Sequence, residues 1–226
     1  MKPASRAPLF SILSTLLVLL FSSPVAAEKP ADLLAAAKSG NLAEVQAALT
    51  AGVDIETRDS QGQTALLIAT RNDQTAVARL LIENGADVNA DDDNGNTPFL
   101  YAGVEGRADV IKMMLQNGAD LKDANHLGGT ALTPAAHYAH VETVGILLET
   151  DIDVDHINDL GWTALLEAII LGDGGERHTE VVHLLLSAKA DPNLADGSGV
   201  SPLQHAQQRK QNAIVELLLR AGAKRD

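Results

Sequence analysis

No cysteine occurs among the 226 residues, which excludes disulfide frameworks, thiolate metal sites and a lipid-modified cysteine. Basic residues are also few, 17 Lys and Arg against 30 Asp and Glu. A chain of that sign repels phosphate backbones and anionic headgroups, which argues against nucleic acid and membrane surfaces as partners and favours basic proteins or cations. The charges are scattered rather than blocked, which equally suits a solvated surface. No glycine-rich phosphate loop, Gly-x-Ser-x-Gly elbow or His-Glu-x-x-His pattern is present, so the commonest signatures of phosphoryl transfer, serine hydrolysis and zinc hydrolysis are missing. The apolar run from Leu9 to Phe21 is shorter than the roughly 20 residues a helix needs to cross a bilayer.

That run reads instead as part of a leader. Lys2 and Arg6 precede it, Ser22-Ser23-Pro24 follows, and Val25 and Ala27 supply the small residues a signal peptidase needs. Residues 1–27 are therefore expected to be a signal peptide, cut between Ala27 and Glu28, that exports the chain to a bacterial periplasm; an uncleaved anchor is the alternative. Cleavage would remove two of the 17 basic residues and none of the 30 acids, leaving 15 against 30, a formal charge of −15.

What is present in abundance is repetition. Thr64-Ala65-Leu66, Thr97-Pro98-Phe99, Thr130-Ala131-Leu132 and Thr163-Ala164-Leu165 follow one another every 33 residues, and Ser201-Pro202-Leu203 comes 38 residues after the last. A fixed period of this length means stacked supersecondary units rather than a single core. Within a unit, Asp59 to Gly62 forms a turn and Thr64 caps a first helix, expected over Ala65 to Thr70. Arg71-Asn72-Asp73 breaks the pattern, and Val77, Leu80 and Leu81 mark a second helix ending near Glu83 with Gly85 as its stop. The turn glycine recurs as Gly95, Gly128, Gly161 and Gly199, and Pro98 and Pro202 take the first helical position, where no N–H is needed. Extended segments such as Ala86-Asp87-Val88-Asn89 then lead into the next unit. A pair this short cannot bury its own apolar sides, so each unit needs neighbours.

Together, Gly-x-Thr-Pro/Ala-Leu, the Val-x-x-Leu-Leu second helix and Gly-Ala-Asp-Val-Asn resemble the ankyrin repeat. The resemblance covers nearly all of the chain after the leader, in units at about 28–58, 59–91, 92–124, 125–157, 158–195 and 196–226, the first having lost its cap threonine. It implies an all-α solenoid of six helix-turn-helix units with hairpin-like loops projecting on one side, and a concave face of first helices and loop tips that binds other macromolecules.

Four features depart from the pattern. Asp151 and Lys189 stand where the other units place the glycine after the second helix, and a side chain in the left-handed region costs about 1 to 2 kcal/mol. Asp173 to Arg177 are extra residues between the helices of unit five, with the composition of a flexible loop; a binding lobe and a tolerated insertion both fit. Pro134 falls inside the first helix of unit four, so that helix is expected to be displaced or shortened, with a start at Thr133-Pro134 as one form. Finally, the only tryptophan, Trp162, sits between Gly161 and Thr163, a position that the resemblance implies is exposed on a projecting loop.

The resemblance carries partner contacts to loop tips and first-helix ends, and thus to a patch of Trp162 and Leu160, His126 and Leu127, and His137 and Tyr138. Asp93, Glu105 and Asp159 would make its rim negative and suit a basic protein partner. Trp162 packing across the adjacent loop is the competing reading. No cofactor or metal is expected. His137 and His140 could share a helix face, but His140 and His178 occupy equivalent slots at the start of second helices, where the resemblance implies a scaffold role, and His183 is placed on the outer side of its helix. Asp91 to Gly95 fails as a calcium loop, because Ala90 and Tyr101 stand where that motif needs ligands. The expectation is a non-catalytic, monomeric binding module. It would act as an immunity protein or as an accessory, protective factor for a periplasmic enzyme. The alternatives are a structural subunit of an envelope assembly and an enzyme using the His137 and His140 region.

Overall fold

A computed structural model describes residues 32–225. The leader and its cleavage point lie outside these residues. Among the described residues there are twelve helices and no strand, only an isolated bridge between Arg58 and Thr64. The helices come in six pairs: α1 (Leu33–Ser39) with α2 (Leu42–Thr50), α3 (Ala65–Arg71) with α4 (Thr75–Glu83), and α5 (Pro98–Val104) with α6 (Ala108–Gln116). Then follow α7 (Leu132–His137) with α8 (Val141–Leu148), α9 (Ala164–Ile170) with α10 (Glu176–Ser187), and α11 (Pro202–Gln208) with α12 (Asn212–Arg220). First helices pack on first helices and second helices on second, producing a two-layered stack. This is the expected six-unit solenoid.

The repeated letters explain the stack. Two residues after each cap a large side chain, Leu66, Phe99, Leu132, Leu165 or Leu203, is buried, and three residues further on an alanine, Ala69, Ala102, Ala135, Ala168 or Ala206, is fully buried. The large residue fills the space between layers, and the alanine lets neighbouring first helices approach. Gly103 marks one close approach. A Cβ there would stand 2.6 Å from the carbonyl oxygen of Ala131 in the next unit.

Caps set where the helices begin. Thr64, Thr97, Thr163 and Ser201 accept hydrogen bonds from the N–H groups of Leu67, Leu100, Leu166 and Gln204 at 3.2–3.3 Å. Asp32 does the same for α1, accepting from Leu34 and Ala35, which replaces the missing threonine of the first unit. The turn glycines Gly62, Gly95, Gly128, Gly161 and Gly199 all have φ between 72° and 78°.

Unit four differs. Its first helix begins at Leu132, one residue late rather than at Thr133-Pro134, and it has no side-chain cap. The Thr133 N–H, which would meet the cap hydroxyl, instead donates to the Thr130 carbonyl at 3.1 Å, and the Thr130 Oγ1 is left buried without a partner. Lys189 does adopt φ 76°, but Asp151 is not left-handed. The other units close with a bond such as Ala86 N–H to Leu81 O at 3.0 Å. Here the Thr150 hydroxyl donates to Leu147 O at 2.6 Å and accepts from Ile152 N at 3.3 Å, which removes the need for a positive φ.

The extra residues of unit five are not a free loop. Glu176 and Arg177 lengthen α10 to 12 residues. Asp173 accepts from Gly175 N and pairs with His178, both at 2.8 Å. Its carboxyl is held below the usual range by the Gly175 N–H and the His178 hydrogen bond. Insertion here added helix and cross-links rather than slack.

Candidate functional site

Side chains at the starts of second helices reach backwards to the preceding unit. His140 Nε2 bonds Val104 O at 2.9 Å, His178 Nε2 bonds His137 O at 2.9 Å, and Gln211 Nε2 donates to Ile169 O and Gly172 O at 3.1 and 3.3 Å. These atoms satisfy carbonyls at the ends of first helices, so the two histidines tie units together. Ala139, left-handed at φ 53°, offers its carbonyl to Arg177, which donates through Nε at 3.1 Å and Nη2 at 2.9 Å. The histidine pair considered for chemistry is thereby divided, with His140 committed to Val104.

On the other side of the first helices lies a groove of about 240 Å³ between the loops and helices of units four and five. Its walls include Leu127, Pro134, His137, Tyr138, Leu160 and Leu171. Leu127, Tyr138 and Leu160 are 42 %, 52 % and 48 % exposed, apolar surface that folding leaves uncovered. His137 stacks on Tyr138 with ring centroids 4.2 Å apart. The projecting loops are joined tip to tip, Asp159 N–H donating to Leu127 O at 2.9 Å, as Asp93 N–H does to Gln61 O at 3.1 Å.

Four of the nine residues expected at the surface therefore line one groove: Leu127, His137, Tyr138 and Leu160. His126 is exposed beside Leu127 but is not part of the lining, and Trp162 is half-buried and also outside it. Asp93, Glu105 and Asp159 are exposed. Glu105 leans on Arg107 at 3.5 Å, and Asp93 belongs to the loop of unit three.

The residue that sequence reasoning missed is Glu167. It occupies the fourth position after the cap, the slot held by Ile68, Tyr101, Pro134 and His205 elsewhere, and it is 7 % exposed in the groove. Asn158 donates to its Oε1 at 2.8 Å, and His137 Nδ1 stands 3.9 Å from its Oε2. Burial raises its pKa to about 7, against the opposing Asn158 bond. His137 is lowered by burial and then by His178, so both groups resist charge. In unit six the slots of Asn158 and Glu167 hold Asp196 and His205, 2.8 Å apart. Comparing slots across units would have singled out Glu167, since it is the only acid in that column.

A family model for ankyrin repeats in three copies matches residues 33–125 and 121–196. The crystal structure of an ankyrin repeat domain from Acinetobacter baumannii superposes with TM-score 0.82 at 50 % identity, covering 85 % of this chain and 98 % of that one. The ankyrin repeat domain of Bcl-3, in the IkappaB family, superposes with TM-score 0.74 at 29 % identity, covering 88 % of each chain. YahD of Escherichia coli K12, named as an ankyrin repeat protein, is 47 % identical over 58 residues, which is 26 % of this chain and 29 % of that relative's length.

Proposed function

This chain belongs to the ankyrin-repeat family, and we propose on that footing that it is an exported, non-catalytic module whose groove at units four and five seats a segment of a basic protein partner. Ankyrin repeats generally mediate protein–protein interaction. The observation that carries the reading is the exposed apolar rim of Leu127, Tyr138 and Leu160 around a buried carboxyl, Glu167. An apolar side chain of the partner would cover the rim. A lysine or arginine beside it would give Glu167 the counter-ion it lacks and draw off its proton. The chain acts as a monomer in the periplasm, as an immunity or protective factor for an envelope enzyme.

Photo-crosslinking in cells tests this. A crosslinker placed at Leu160 or Leu127 should capture one protein, whereas the exposed His183 on α10 should not. Equal labelling at His183, or none at the groove, overturns the proposal. Recovery from the periplasm of chains beginning at Glu28 tests export.

A further inference from the structure

At the opposite edge of the stack the segments following second helices lie side by side. At most junctions one brace joins them. Glu56 Oε1 accepts from Asp87 N at 2.8 Å, Asn89 Oδ1 from Asp120 N at 2.9 Å, Asp155 Oδ1 from Asp191 N at 2.9 Å, and Asn193 Oδ1 from Lys224 N at 2.9 Å. The residue in this slot between units three and four is Lys122, whose ammonium has only donors and cannot make the bond. At that junction a cavity of about 600 Å³ opens, lined by Ala119, Asp120, Leu121, Lys122, Thr130, Asp151, Asp153 and His156. A volume of that order falls in the range of small-molecule sites.

We propose that this cavity binds a small amphipathic amine carrying a second polar group at its far end. Three carboxylates, Asp120, Asp151 and Asp153, are exposed around the mouth against the single cation Lys122, so the opening selects positive charge. Ala119 and Leu121 supply the apolar wall. Thr130, which also lines the cavity, is only 2 % exposed, and its hydroxyl has no hydrogen-bond partner among the described residues. A buried hydroxyl is retained at a cost unless something answers it, and a neighbouring χ1 rotamer carries it to the position its methyl holds. The His156 imidazole is already engaged, Nε2 with Gly128 O at 2.7 Å, and so serves as wall rather than ligand. This site is separate from the groove at units four and five.

The test uses three probes that share a phenyl-ethyl body. Tyramine has both the ammonium and the far hydroxyl, phenethylamine lacks the hydroxyl, and tyrosol lacks the charge. Tyramine should shift the backbone amide resonances of Ala119, Leu121 and Thr130 saturably while those of Leu160 stay in place. Phenethylamine should bind about 5- to 10-fold more weakly, and tyrosol weaker still. In Thr130→Val, tyramine should fall to the phenethylamine level while the free protein melts higher, having lost an unanswered hydroxyl. Leu121→Trp should fill the cavity and abolish the shifts. Asp153→Asn, an exposed change that keeps the fold, should weaken both amines and leave tyrosol unchanged. Absence of shifts at millimolar tyramine, shifts that survive Leu121→Trp in a folded protein, or tyrosol binding as tightly as tyramine overturns the proposal.

Discussion

The junction between units three and four and the one between units four and five are built from the same slots, yet one is open along an edge and the other is cross-linked throughout. Between four and five, His178 reaches His137 O, Arg177 grips Ala139 O twice, Asp155 accepts from Asp191 N, and the loop tips bond through Asp159 and Leu127. Between three and four the brace slot holds Lys122, the helix stop is Asp151, and the cap hydroxyl of Thr130 is idle. That junction is held by the packing of α5 on α7, where Gly103 meets Ala131, and of α6 on α8, with His140 Nε2 on Val104 O at 2.9 Å and the exposed Lys112–Glu142 pair at 3.1 Å. Stability in a stack is close to a sum over interfaces, so a chain of near-identical units can still contain one seam.

The largest effect is expected where the first helices of the open junction meet across one glycine. Gly103→Ala places a Cβ 2.6 Å from a backbone oxygen, which a shift of helices must relieve. We expect a loss of about 2 to 3 kcal/mol in thermal or urea unfolding. A change below half a kcal/mol would show that the junction is elastic and remove the seam. Next comes the cross-linked junction. His178→Ala deletes the bonds to His137 O and Asp173 and should cost about 1 to 2 kcal/mol. Because that junction has other links, unfolding should remain a single transition, whereas two transitions would mean that His178 alone couples the units.

A third prediction concerns charge in the groove. The Glu167 pKa is raised from 4.5 to about 7, so between those values the folded chain holds a proton that the unfolded chain has released. The stabilising contribution is complete below about pH 4.5 and is lost as pH rises toward 7. Glu167→Gln, which keeps the acceptor for Asn158, should flatten this slope and leave the protein about 1 to 2 kcal/mol more stable at pH 8. His137 works in the other direction, since a lowered pKa gives stability that fades as pH falls below 6.5. Parallel melting curves of the two proteins from pH 5 to 8 would refute the assignment.

The scaffold was legible in the sequence because each cap, turn and stop repeats, and the repetition separates signal from accident. Thr64, Gly62 and Gly85 have the roles their spacing predicts. The groove was half legible. Leu127, His137, Tyr138 and Leu160 share a groove because loop tips project beside the end of a first helix, while Glu167 was missed because a lone acid inside a helix reads as solvated until its neighbours' slots are compared. Trp162 is half-buried rather than exposed, since side-chain type does not reveal which way a loop residue leans. The extra residues of unit five read as slack because Asp173-Gly174-Gly175 is loop-like, but the bonds that order them come from His178 and the neighbouring unit. Bonds between units cannot be seen from one unit's composition.

The smallest expected effect most directly probes the contrast. Lys122→Asn puts at the open junction the side chain that Asn89 and Asn193 use at theirs, each accepting at 2.9 Å from a backbone N–H one unit on. If the missing acceptor is what parts the two segments, the new amide should accept from Asp153 N, with a gain of about 0.5 to 1 kcal/mol in denaturant unfolding and slower exchange of that N–H. Closing the edge should also narrow the cavity, so tyramine should bind Lys122→Asn less well although a competing cation has been removed. The two influences have opposite signs: loss of Lys122 relieves repulsion of the amine, whereas closure removes its space. Tighter tyramine binding without slower exchange at Asp153 would mean that Lys122 acts only through its charge, and that the edge is held apart by Asp151 and its hydroxyl-bridged turn instead.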